Sequence, residues 1–199
     1  ELIQLYGTEE QKRKYLLPLP KGRAIMGTAI TEPDAGSDIT SILSLARREG
    51  DTYVLNGSKQ FITNGSIANY LAVFCLVQPE AESKLKRFGV LIVDTDSPGF
   101  RANKLTGKLG IRASDTAEIR FSDVRVPREN LIGGKEGEGF PQIMQLFNIN
   151  RVIAASQGVG VGQGALDKAV QYVKQRKQFS QPLSALQATQ FKIAEMATW

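Results

Sequence analysis

Two short segments carry side chains that could act on a bound ligand. Thr31-Glu32-Pro33-Asp34-Ala35-Gly36-Ser37-Asp38 mixes hydroxyls with backbone-permissive residues just after a strand-like run. Exposed N–H groups in such a loop can cradle an anion, and Thr31 and Ser37 can donate hydrogen bonds. The same composition also suits a polar turn capped by its own Asp and Ser. The second segment is Phe61-Ile62-Thr63-Asn64-Gly65. On a strand, the Phe61 ring and the Thr63 hydroxyl are two residues apart and share one face. That pair could stack on a flat heterocycle and hydrogen-bond its edge. The alternative is an inward Phe packing beside an ordinary Thr.

What is missing narrows the chemistry. The 199 residues hold no histidine and one cysteine, Cys75. A Ser-His-Asp triad, a Cys-His dyad, histidine-ligated zinc or haem, internal disulfides and cysteine-ligated clusters are all excluded within them. No metal is expected. Proton transfer falls to a carboxylate, Lys, Tyr or a cofactor. A net charge of +5 reads first as an ordinary basic surface, and it could also attract phosphate-rich ligands or an acidic protein partner. The basic residues are scattered and form no known nucleic-acid reader, so no nucleic acid is expected. No apolar run approaches the roughly 18 residues of a membrane span. No secretory leader is visible. The expected location is the cytoplasm or, in a eukaryote, the mitochondrial matrix.

The elements that must position these residues change character along the chain. Thr8-Glu9-Glu10-Gln11 fits a capping box opening a helix through Lys14 and Tyr15, which ends before Pro18. Residues 26–127 read as short strands, entered through Ala24–Thr31, a mixed run of small and apolar residues. Ile42–Arg48 and Thr52–Leu55 flank a turn at Gly50-Asp51. Asn56-Gly57 predicts a hairpin leading to Ser58–Thr63. Tyr70–Val77 and Phe88–Asp94 are continuous apolar runs, separated by the charged loop Glu80–Arg87. Asp96–Gly99 is a turn, and Thr116–Phe121 and Val124–Val126 are the last strands. Beyond about residue 137 the spacing becomes helical, with no proline between Pro141 and Pro182. Ala154, Gly158 and Gly162 form a stripe of small residues on that long helix. Gly160-Val161-Gly162-Gln163-Gly164-Ala165 lies inside it and reads as helix packing, not as a dinucleotide fingerprint, which needs a preceding strand. Phe179–Leu183 interrupts the helix, and Ala185–Trp199 is a second one. Asn56-Gly57-Ser58 and Asn64-Gly65-Ser66 read as turns.

Taken in order, these segments resemble the acyl-CoA dehydrogenase family, most closely its short-chain members. The match runs through Ala29–Ser41, Tyr53–Lys59 with Phe61–Gly65, Lys108–Ser114, Phe121–Pro127, and Arg176–Phe179 with Pro182, Leu183 and Gln187. The resemblance implies a multi-domain α+β chain: a central antiparallel β-barrel or sandwich domain followed by part of an α-helical bundle. Residues 1–25 would end an N-terminal helical domain, 26–135 form the β domain, and 136–199 begin the bundle. The chain would then be a fragment of a longer homotetrameric enzyme.

That enzyme class uses FAD to oxidise an acyl-CoA thioester to its trans-2-enoyl-CoA. A glutamate takes the α-proton, and the electrons pass to an electron-transfer flavoprotein. The rival readings are an oxidase or decarboxylating dehydrogenase on the same scaffold, and a non-catalytic β-domain assembly module. By the resemblance, Thr28, Ile30, Thr31, Ser37, Phe61, Ile62 and Thr63 line the flavin and its pyrophosphate. Thr31 bonds the ring, Phe61 packs on it, and Thr63 bonds N5. Ser37 also lies near the thioester. Phe147, Asn148 and Arg151 hold the pantetheine and nucleotide ends of CoA. Arg176, Gln178, Phe179, Leu186 and Gln187 reach the FAD of a neighbouring subunit, Arg176 as a cation for pyrophosphate. Asn150 occupies a position where some members carry the catalytic glutamate, and an amide cannot replace it. The base is therefore expected beyond Trp199. Glu32 and Asp38 match structural positions, and Ser180 stands where Gly is usual.

Overall fold

In the computed structural model, residues 1–198 are described. The chain divides into two compact units, residues Glu1–Leu146 and residues Phe147–Trp199. The strands of the first unit are β1 (Met26–Ala29), β2 (Leu45–Glu49), β3 (Thr52–Thr63), β4 (Tyr70–Leu76), β5 (Phe88–Asp94), β6 (Phe100–Lys104) and β7 (Thr116–Pro127). They form one sheet in the order β1-β4-β2-β3-β7-β6, with β5 also paired to β4.

The two continuous apolar runs of the sequence become β4 and β5, antiparallel from Tyr70↔Asp94 to Leu76↔Phe88. Leu71, Val73, Phe74 and Cys75 on one, and Val90 to Val93 on the other, are sealed from solvent. Strands covered on both faces need apolar residues at every position, which is why no alternation appears. Burial pushes the Cys75 thiol up to about 12. The long β3–β7 pair alternates instead. Tyr53, Leu55 and Ile62 point inward opposite Ala117, Ile119, Phe121, Val124 and Val126. A bridge between Leu91 and Leu131 folds the chain after β7 back onto β5. The antiparallel β domain expected from sequence is thus a curled mixed sheet, in which β1 runs parallel to β4.

Asn56-Gly57 does not make the expected hairpin. β3 runs through it with a register shift between Leu55 and Gly57. The Asn56 amide donates to the Asp123 carboxylate at 2.9 Å and accepts from the Asp123 backbone N–H at 2.9 Å. Gly57 sits at φ +144°, and Asp123 on the opposite strand sits at φ +52°. Two turn-prone residues facing each other form a matched bulge instead of a turn. For the same reason the two strands expected after residue 116 are one. β6 is a strand the sequence pattern does not predict.

The N-terminal segment is α1 (Leu2–Tyr6), α2 (Glu9–Gln11) and a π-turn over Lys12–Leu16, so the expected single helix is broken. Its Thr8–Gln11 capping box is present. Gln11 Nε2 donates to the carbonyls of Glu129 at 2.6 Å and Leu131 at 2.7 Å. The Tyr15 hydroxyl donates to Asn130 Oδ1 at 2.8 Å, and Asn130 Nδ2 donates to the Ile92 carbonyl at 2.8 Å. These bonds dock the segment on the chain that leaves β7.

The long helix expected from the proline-free stretch is α3 (Gly139–Gln175). At its first residue, a Cβ on Gly139 would stand 2.6 Å from the Gly89 Cα of β5. Only glycine permits that backbone approach. Within the second unit, α3 ends at a two-residue ladder pairing Lys177–Gln178 (β8) with Gln181–Pro182 (β9). Its turn residues Phe179 and Ser180 both have left-handed backbones, at φ +52° and +62°. Helix α4 (Gln187–Thr198) follows. No helix among the described residues is long and apolar enough to cross a membrane.

Candidate functional site

In the first unit the site is a shelf where β1 runs against the end of β3. A Cβ on Gly27 would lie 2.8 Å from the Thr63 carbonyl oxygen and 3.9 Å from Ile62 Cγ2. Gly27 and Ile62 therefore face the same interior. Thr28 alternates outward on β1, the irregular step before Ile62 turns Phe61 outward, and with Thr63 all three are exposed. Phe61 is 62% exposed and holds φ +59°. A large aromatic residue in the left-handed region is an outlier, and such strain concentrates at functional sites. The inward packing of Phe61, one of the two readings of its sequence, does not occur. Ile62 is 3% exposed, so only its backbone can meet a ligand.

Beside the shelf, the segment from Ile30 to Ser41 is held down by bonds at its two ends. The Gln60 N–H donates to the Thr31 carbonyl at 2.8 Å. Lys59 Nζ donates to the Ile30 carbonyl at 2.8 Å and to Glu32 Oε1 at 2.9 Å. Glu32 also accepts from the backbone N–H groups of Leu43 at 2.6 Å and Ser44 at 2.9 Å. Both charged side chains are buried. Burial pushes the Glu32 carboxyl up, but the Lys59 charge and the donors from Ser44 and Leu43 outweigh it and hold it below its ordinary value. Burial pulls Lys59 below the usual lysine value against the opposing charge of Glu32. Asp38 accepts from the Thr40 N–H at 3.1 Å and the Thr40 hydroxyl at 2.7 Å, and also from the Ser41 hydroxyl. The Ser41 and Thr40 bonds lower its pKa. Glu32 and Asp38 thus shape the loop, while Thr31 and Ile30 are half-buried and Ser37 is exposed.

Past Thr63, Asn64 takes φ +62°. Asp115 accepts from the Ser66 N–H at 3.0 Å and the Ser66 hydroxyl at 2.7 Å, closing that turn. Its carboxyl is pushed up by desolvation, yet the Ser66 bonds and Lys104 bring it below its ordinary value.

In the second unit, Phe147 is half-buried and Asn150 is exposed. Arg151 Nη1 donates to Asn148 Oδ1 at 2.7 Å, pairing the two across one turn of α3. Arg176, Gln178, Phe179 and Gln187 are exposed around the short ladder, Phe179 at 87%, and Leu186 is half-buried. The Arg176 carbonyl accepts the Leu183 N–H at 2.8 Å, which ties the two sides of that turn.

Sequence reasoning missed Lys59. Its signal was a cation in the inward phase set by Tyr53 and Leu55 of β3, ahead of the register shift that turns Phe61 outward, with Glu32 as the available counter-charge.

Fold and site together define a curled β unit that displays an exposed aromatic shelf beside a bonded loop, joined in sequence to a helical unit. Residues 27–124 match the family model described as "Acyl-CoA dehydrogenase, middle domain", and residues 137–199 match "Acyl-CoA dehydrogenase, C-terminal domain". The chain belongs to the acyl-CoA dehydrogenase family. It is 44% identical over 195 residues to a Clostridium acetobutylicum protein named "Acyl-CoA dehydrogenase, short-chain specific", covering 98% of this chain and 51% of that one. A structure of butyryl-CoA dehydrogenase from Megasphaera elsdenii is similar at 40% identity and TM-score 0.90, over 99% of this chain and 51% of that chain. A glutaryl-CoA dehydrogenase from Mycobacterium smegmatis, solved in complex with FADH2, is similar at 34% identity and TM-score 0.88, over 99% of this chain and 49% of that chain. The chain spans about half the length of the relatives it matches.

Proposed function

We propose that this chain is the flavin- and acyl-CoA-holding part of an acyl-CoA dehydrogenase. The observation that carries the reading is the open shelf of Thr28, Phe61 and Thr63, with the exposed Phe61 ring on a strained backbone. The residues fit FAD. An apolar ring open to solvent offers a stacking surface, and two flanking hydroxyls offer donors to a heteroaromatic edge. When bound, FAD supplies the acceptor for the hydride that leaves the thioester β-carbon as the α-proton is removed.

The chain's own residues hold and orient. Phe61 supports the ring, Thr63 and Thr31 bond its edge, and Thr28, Ile30 and the Ile62 backbone complete the wall. Ser37, at the open end of the loop, serves the pyrophosphate and the thioester. Phe147, Asn148 and Arg151 take the CoA end of the substrate. Arg176, Gln178, Phe179, Leu186 and Gln187 face the FAD of another subunit in a homotetramer. No residue here is assigned as the base. Asn150 is an amide, and Glu32 and Asp38 each already accept three or more hydrogen bonds. The electrons leave to an electron-transfer flavoprotein, in the cytoplasm or the mitochondrial matrix. A related chain in a structure titled for the electron transferring flavoprotein of Acidaminococcus fermentans, 43% identical with TM-score 0.90, supports that partner.

The test is anaerobic addition of butyryl-CoA to the purified full-length flavoprotein that contains this chain. Bleaching of the flavin with formation of the enoyl-CoA is expected. A protein that retains no FAD, or whose flavin no short acyl-CoA reduces, would overturn the reading.

A further inference from the structure

We propose that Lys59 and Glu32 form a positioning pair that fixes the spacing between the two flavin-holding segments, residues 28–37 and 61–63; this rests on the flavin reading above. Lys59 stands on β3 two residues before Phe61. Its ammonium reaches out of that strand to the Ile30 carbonyl at 2.8 Å and to Glu32 at 2.9 Å. Glu32 carries the link onward to the Leu43 and Ser44 N–H groups, at 2.6 and 2.9 Å. One buried ammonium therefore joins the strand beneath the aromatic shelf to both ends of the hydroxyl-bearing loop.

Two further features argue that this link is more than packing. The register of β3 shifts between Lys59 and Ile62, which is the step that gives Phe61 its left-handed backbone. The ammonium is anchored immediately before that step, and the Gln60–Thr31 bond of 2.8 Å is anchored within it. The strained residue and the loop are thus tied at adjacent positions. Moreover, taking two charges out of water is costly, and apolar residues of similar size often serve stability equally well or better. A buried pair that bridges two segments is better explained by the geometry it imposes. Neither side chain touches the open side of the shelf, so the pair acts through the residues it ties.

The test is the double variant Lys59→Met/Glu32→Gln in the flavin-loaded protein. It removes both charges at similar volume and keeps one side-chain oxygen, so one of the Leu43 and Ser44 N–H groups retains its acceptor. Three properties are measured: the thermal midpoint of the flavin-free form, the FAD dissociation constant, and the position and fine structure of the flavin visible band. A midpoint within a few degrees of wild type is expected, with FAD bound about tenfold or more weakly and the visible band shifted, since small displacements of a holding constellation are felt strongly. If the double variant does not fold, Glu32→Asp is measured, a single variant that leaves the ion pair intact. It keeps both charges and shortens the carboxylate's reach by one methylene, so a smaller loss of about threefold and the same direction of band shift are expected. A folded variant with wild-type FAD affinity and spectrum would overturn the positioning role while leaving the flavin reading intact. A wild-type protein that binds no FAD would overturn both.

Discussion

In the first unit Leu71, Val73, Phe74, Leu91 and Ile92 are sealed from solvent. In the second, none of the described residues is buried. The two regions do not differ in their supply of apolar side chains. Val152, Ile153, Val159, Val161, Tyr172 and Phe191 are all large, and all are more than half exposed. They differ in geometry. A sheet that curls on itself covers one face with its own far strands, and a short helical segment docked through Gln11 and Tyr15 adds to that cover. A pair of helices has too few neighbours to enclose a core. Large apolar side chains left exposed on such helices are available for contact with another surface.

The largest effect that could break this contrast is at the buried pair. Lys59→Met alone strands the Glu32 carboxylate and should cost about 3–5 kcal/mol, read by chemical denaturation. Next comes a matched comparison. Leu91→Ala in β5 should cost about 2–5 kcal/mol, whereas Ile153→Ala in α3 should change stability by no more than about 0.5 kcal/mol in this chain. Equal losses would mean that the second unit has a core of its own.

The acid limb of stability is a third measure. The folded pKa of Glu32 lies below its ordinary value of 4.5, so its contribution is full above that pH and is lost as pH falls through the folded value. Glu32→Gln should flatten that part of the acid profile of the first unit. The last effect is a small gain in the helix. A Cβ on Gly162 meets nothing within 4 Å, so Gly162→Ala should raise helix stability by about 1 kcal/mol in this chain, measured by circular dichroism during melting. In an assembly where another helix packs on that stripe, the same substitution should destabilise.

Legibility followed the same divide between self-sufficient and conditional structure. Phe88–Asp94 was readable to the residue because a strand buried on both faces has nothing but apolar side chains to show. The long helix was readable because proline is absent between Pro141 and Pro182. Asn56-Gly57 misled because turn propensity is local, whereas the pairing of Asn56 with Asp123 spans 67 residues of sequence. β6 was missed because a half-exposed strand with Arg101 and Lys104 alternates too weakly to stand out. In the site, the residue types of the loop and of Phe61-Ile62-Thr63 were visible as a pattern. Their support was not, since a lysine inside a sheet reads as surface until its counter-charge is placed.

Cys75 carries a consequence of a different kind. It is the chain's one thiol, in the strand at the centre of the buried sheet. A thiol reagent can reach it only when β4 is released from its neighbours. With the thiol pushed up to about 12 by burial, the closed form is doubly unreactive. The rate of Cys75 modification under native conditions is therefore a built-in clock for opening of the β unit, read at a single atom without an added label. Bound ligands that steady the shelf should slow that clock.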